Sequence, residues 1–213
     1  LVPNNNAQRT LILGRAGTEE PVLFTVREDF SLGSSSNAWG PVNVNADWNV
    51  LVANGKTLNV YGALNSSGRT ITVGGEGFSG TLVLNNAANA SMTAEWVITS
   101  GSTVRCMNNS ALGSGLVTLD GGTLDFNSQT IGSTITLNMS GTGTLQNVTV
   151  DGAILSYTSS SGNDGITASN TTWTSGKIDI GRLLQGFSAE GSNTVDLGAE
   201  LGEGFSVLGL DTG

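Results

Sequence analysis

The sequence predicts an all-β chain wound as a parallel β-helix, with about three strands in each coil of roughly 30 residues. Three observations predict it. Short stretches rich in Thr, Val, Ile and Leu recur along nearly the whole chain, with Gly, Asn, Ser or Asp between them. The phrase "small residues, then Thr-Leu or Thr-Ile" returns as GKTLNV, GRTITV, SGTLVL, GGTLDF, GSTITL and GTGTLQN. VTLDGGTLDF at 117–126 is nearly rewritten as VTVDGAILSY at 148–157, about 31 residues on. A short period inside a longer one is the mark of a solenoid whose coils stack on one another. An antiparallel β-sandwich or jelly roll also gives short, evenly spaced strands. It does not need the same phrase to return in register, so the solenoid is the preferred expectation.

The elements divide into three stretches. Residues 1–40 break the pattern: they hold Glu19, Glu20, Arg27, Glu28 and Asp29 and two of the three prolines, Pro3 and Pro21. They read as an N-terminal cap or lead-in. Within them, TLIL at 10–13 and VLFTV at 22–26 are strand candidates. Residues 41–180 read as the solenoid body, with candidate strands from WNVLV at 48–52 and TLNVY at 57–61 to KIDI at 177–180. Leu, Ile and Val would face inward, and Thr, Asn and Ser outward. Gly and Asn turn the corners, where positive φ is needed. Residues 181–213 read as a C-terminal cap or assembly segment. GRLLQGFSAE at 181–190 could hold one helical turn, and FSVLGL at 205–210 is a last apolar strand.

Composition narrows the chemistry. The chain has 213 residues, 17 acidic and 8 basic, and a net charge of -9. Lys56 and Lys177 are the two lysines. Phosphate binding needs clustered Lys and Arg, so neither nucleic acid nor an anionic membrane is an expected partner. No stretch of about 18 apolar residues exists, so no membrane insertion of this segment is expected. There is no histidine. That excludes His-dependent triads and His-ligated zinc. Cys106 is the single cysteine and cannot form an internal disulfide. It reads as a small buried hydrophobe in the strand TVRCM. No cofactor is expected.

The remaining candidates each have a plain reading beside the functional one. Asp120 and Asp151 hold the same place in the two 31-spaced phrases. If those phrases stack, the carboxylates lie about 5 Å apart, near the spacing that retaining glycosidases use. Each also precedes Gly, a common turn dipeptide, and the turn reading is preferred. Asn163-Asp164-Gly165, after Ser161 and Gly162, could offer oxygens to Ca²⁺, but lacks the spacing of a calcium loop. Trp39, Trp48, Trp96 and Trp173 could stack on sugars, although two sit in apolar strands and read as packing residues. N-x-S/T sequons begin at Asn65, Asn89, Asn108, Asn138, Asn147 and Asn170. Chance accounts for most of them in so Asn-, Ser- and Thr-rich a chain.

Residues 51–126 carry a resemblance in a fixed order. Gly77-Phe78-Ser79 leads into Gly80-Thr81-Leu82-Val83-Leu84, and Gly101-Ser102-Thr103-Val104 follows. Ala111-Leu112-Gly113-Ser114-Gly115 then leads into Val117-Thr118-Leu119 and Gly121-Gly122-Thr123-Leu124. This resembles the autotransporter-associated β-strand repeat of bacterial surface and secreted proteins, with a looser second copy over 127–157. The resemblance implies a passenger-type parallel β-helix at the cell surface or outside the cell, and carries no catalytic residues. The expected role is therefore structural and non-enzymatic: a scaffold, an adhesin passenger or a filament-forming subunit. Self-association through the solenoid ends, or continuation in a larger parent chain, is the expected partnership, with glycans as further partners. Phe205, Ser206, Val207, Leu208, Gly209 and Leu210 are the segment expected to add to a neighbouring edge. The alternative is a polysaccharide hydrolase or lyase, or a carbohydrate-binding β-helix.

Overall fold

A computed structural model describes residues 10–15, 17, 20–35, 40–86, 89, 91–132, 134–140, 142–157, 165–179, 194–196 and 201–208. Among them are seventeen strands and no helix, so none long and apolar enough to cross a membrane.

The strands form parallel ladders around one apolar interior. The first face begins with β1 (Leu11–Leu13), β4 (Val42–Val44) and the start of β7 (Leu64–Val73). The second runs from β2 (Val22–Val26) through β5 (Trp48–Val52), the end of β7 and β9 (Thr93–Thr99) to β11 (Gly115–Asp120) and β13 (Ile135–Ser140). It continues through the ends of β14 (Thr142–Tyr157) and β15 (Gly165–Asp179) to β17 (Leu201–Leu208). The third face stacks β3 (Phe30–Leu32), β6 (Thr57–Val60), β8 (Thr81–Leu84), β10 (Thr103–Cys106) and β12 (Thr123–Ile131). The starts of β14 and β15, then β16 (Thr194–Asp196), complete it. Every strand pairing is parallel, which overturns the antiparallel sandwich alternative. The described residues form a parallel β-solenoid with three strands to most coils and two in the central ones, where the first face has no strand between β7 and β12.

The Thr-Leu copies of the recurring phrase mark the third face, while the Thr-Ile copies GRTITV and GSTITL lead into strands of the second. Thr57, Thr81, Thr103, Thr123 and Thr144 are successive partners, and behind them Leu58, Leu82, Val104, Leu124 and Leu145 form a fully buried column. The small residue before Thr has a steric reason. A Cβ on Gly122 would sit 2.5 Å from the Ile98 carbonyl oxygen, and one on Gly80 would run into Ala53 and Lys56 carbonyls. The corner brings two coil backbones too close for a side chain.

Coil length is not constant. From Phe30 the partners Leu58, Leu82, Val104, Leu124, Leu145 and Ala168 follow at steps of 28, 24, 22, 20, 21 and 23 residues. A coil near 30 residues occurs toward the ends; the middle is wound tighter. The 31-residue repeat of the sequence is therefore not the coil. Val117 lies on the second face and pairs with Leu137, whereas Val148 lies against Gln129 on the first face, two faces beyond Leu137 along the chain.

Candidate functional site

Among the described residues, the apolar interior is least covered in the first coil. Leu11, Val22, Phe24 and Phe30 point inward but are only partly buried. Their partners one coil on, Val42, Trp48, Val50 and Leu58, are each 0% exposed. Among the described residues, β1, β2 and β3 have a ladder partner on one side alone. Phe24 packs at 6.3 Å, edge-on, against Trp48, and its ring lies 6.4 Å from Phe30. A cavity of about 330 Å³ opens between these two phenylalanines, bordered by Arg27, Glu28 and Asp29. Polar contacts tie the coil to the next one. Asp29 Oδ1 accepts the Thr57 amide at 2.8 Å, and Lys56 Nζ meets Glu28 Oε2 at 2.6 Å.

A second opening is polar. It has a volume of about 390 Å³ and lies where β7 turns from the first face to the second. Asn43, Asn65, Ser66, Ser67, Arg69 and Ser91 line it. Asn43 and Asn65 are ladder partners, and Asn65 Nδ2 donates to Asn43 Oδ1 at 3.0 Å.

Two buried polar clusters hold corners shut. Where the first face lacks a strand between β7 and β12, the Asn89 side chain replaces the ladder. Its Oδ1 accepts the Leu64 amide at 2.8 Å and its Nδ2 donates to the Ala111 carbonyl at 2.7 Å. Trp96 Nε1 donates to the Leu112 carbonyl of the same turn at 3.1 Å. Further on, buried Asp125 accepts Arg105 Nε, the Asn127 amide and Asn147 Nδ2, each at 2.9 Å. Asn127 and Asn147 both take positive φ, so the cluster pins two successive left-handed bends. Burial works to raise the pKa of Asp125. Its hydrogen bonds to Asn147, Asn127 and Arg105 outweigh that, and the carboxyl titrates below its ordinary value. The sequence marks Asn89 only as one sequon among six and Asp125 not at all, because no pattern signals a buried corner role for either.

The sequence candidates fall as follows. Asp120 and Asp151 do not stack. Asp120 pairs with Thr99 and Ser140, and Asp151 pairs with Ser175. The carboxylate pair that stacking of the 31-residue repeat would have made is thereby overturned, since that repeat spans one coil plus two faces. Both residues lead into glycines of positive φ, Gly121 and Gly152, as the turn reading required. Cys106 is fully buried inside β10, and burial pushes its thiol pKa far up, leaving no reactive thiolate. Trp48 and Trp96 are core residues at 0% exposure, not a sugar platform. Phe205–Leu208 form the end of β17 against Gly176–Asp179. Gly209 and Leu210, the 181–190 turn, Trp39, and 161–164 of the calcium-loop candidate lie outside the described residues. No cluster of three metal-ligating side chains occurs among the described residues.

Compared with family models, curated proteins and solved structures, the chain matches none. Its own geometry is what bears on function.

Proposed function

We propose that the protein is an extracellular or cell-surface scaffold whose solenoid is lengthened by coils added at its open end. Those coils come from a second copy of this chain or from a longer parent chain. One observation carries this: Leu11, Val22, Phe24 and Phe30 of the first coil are only partly buried while their partners one coil on are fully buried. An apolar interior left open at a strand edge favours another parallel strand in register. A head-to-tail contact of that kind does not close on itself and builds a filament. β17 is the complementary partner, because it pairs with β15 alone among the described strands. The resemblance to the autotransporter-associated repeat, and a low-charge surface rich in Asn, Ser and Thr, support a location outside the cell. The role is architectural rather than enzymatic.

Negative-stain electron microscopy of the 213-residue chain, with light scattering, tests this. Filaments that disappear in Phe24→Asp, with the β-rich circular dichroism kept, are the expected result. Single particles at every concentration would overturn self-assembly of this chain, and filaments unchanged in Phe24→Asp would move the contact elsewhere.

A further inference from the structure

We propose that the corner around Arg69 is a binding site for an anionic sugar, a glycan bearing carboxylate or sulfate groups. It does not depend on whether the chains stack.

The corner is built by a bulge. Between Ser67 and Arg69 the register of β7 on β9 shifts, and Gly68 takes φ +64 with no ladder partner. Bulges of this kind re-aim the residues beside them. Arg69 and Ser67 flank the bulge and border the polar opening of about 390 Å³, within the size range of small-ligand sites.

Arg69 is the unexpected member. The chain has more than twice as many acids as bases. The ion pairs among the described residues are Lys56–Glu28 and Arg105–Asp125, so Arg69 has none. Neither of the carboxylates beside its chain neighbour Thr70 forms an ion pair with Arg69. Asp47 Oδ1 accepts the Thr70 amide at 3.0 Å, and Glu95 pairs across from Thr70 on the second face. A guanidinium without a carboxylate presents a planar fork that matches carboxylate and sulfate oxygens.

The rest of the lining suits hydroxyl groups. The Asn65–Asn43 bond uses one donor and one acceptor, so each amide keeps its other group for a ligand. The Ser66 hydroxyl, in the wall, has no hydrogen-bond partner. Ser67 and Ser91 add two more hydroxyls. No aromatic ring is among the described lining residues. A neutral sugar would lack the stacking surface that usually holds one, which leaves charge and hydrogen bonding to provide recognition. A nucleic-acid backbone is disfavoured, because one cation on a chain of charge -9 cannot neutralise successive phosphates.

The test is isothermal titration of the full chain with polygalacturonate, dextran sulfate and neutral dextran. Binding to at least one anionic polymer but not to dextran, weakening with added salt, is expected. Which polymer binds separates carboxylate from sulfate recognition. Arg69→Gln, which keeps an amide but removes the charge, should weaken binding at least about tenfold. Asn65→Asp, which places a carboxylate in the opening, should weaken it similarly, and decides the matter if Arg69→Gln fails to fold. Arg27→Gln, on the far opening, should bind as the parent does. No anionic binding, equal binding to dextran, or unchanged affinity in folded Arg69→Gln would each overturn the proposal.

Discussion

The first coil and the central coils are built from the same strands and corners, yet they close differently. In the centre, several buried polar side chains at corners are held by hydrogen bonds, most of them to the adjoining coil. Asn89 spans from Leu64 to Ala111, Trp96 reaches Leu112, and Asp125 collects Arg105, Asn127 and Asn147. In the first coil Leu11, Val22, Phe24 and Phe30 stay only partly buried, and Trp48 in the second coil keeps a buried indole N–H with no partner. A solenoid derives its stability from nearest-neighbour contacts between coils. The centre should therefore resist substitution poorly, and the open end should tolerate it better.

The largest effect is expected at Asn89. Asn89→Leu would leave the Leu64 amide and the Ala111 carbonyl without partners inside the core. Each orphaned backbone group costs about 1–3 kcal/mol, so a loss of about 3 kcal/mol in urea unfolding is expected. Because the amide is neutral, this loss should be the same at pH 4 and pH 7. A loss below about 1 kcal/mol would mean that the turn relaxes to pair those groups in another way.

Asp125 should give a smaller loss that depends on pH. Its folded pKa lies below its unfolded one, so its contribution is complete above the unfolded value of about 3.9. That contribution fades as pH falls through the folded value. Asp125→Asn should cost about 2 kcal/mol at pH 7, the scale of hydrogen bonds to a charged group. The gap between parent and variant should narrow steadily below pH 4. A gap that stays constant from pH 7 to pH 2 would assign the cost to packing rather than to charge.

The contrast also explains what the sequence could disclose. The Thr-Leu phrase was legible because one residue of each coil repeats one job: Thr57, Thr81, Thr103, Thr123 and Thr144 share a column, with a close corner before several of them. The coil length was not legible from the most obvious repeat. VTLDGGTLDF and VTVDGAILSY are alike because both turn at Asp-Gly, and turn chemistry is local, so it says nothing about which face the turn serves. Asn89 was hidden for a different reason. Its importance comes from a missing strand on the first face, and in NNAANAS it stands apart from Asn85 and Asn86 only as a sequon, which says nothing of a buried role. Arg69 likewise gains meaning from the absence of an acid beside it, which is a property of the fold.

The smallest expected effect is the sharpest comparison. Trp48 and Trp96 stand in one column, separated by Ile71, and both are fully buried. Replacing either by Phe removes a similar volume from the same column, so the cavity terms should nearly cancel in the difference. What remains is the Trp96 indole bond to the Leu112 carbonyl, which Trp48 lacks. Trp96→Phe should therefore cost about 1 kcal/mol more than Trp48→Phe. The two sites lie two coils apart, so the double variant should show additive losses. Equal losses would mean that the Leu112 carbonyl finds another donor once the indole is gone, and that the central corner is less dependent on its side chains than its geometry implies. A larger loss at Trp48 would place the heavier energetic burden at the open end, where Phe24 leans on that indole and the solenoid has least else to hold it.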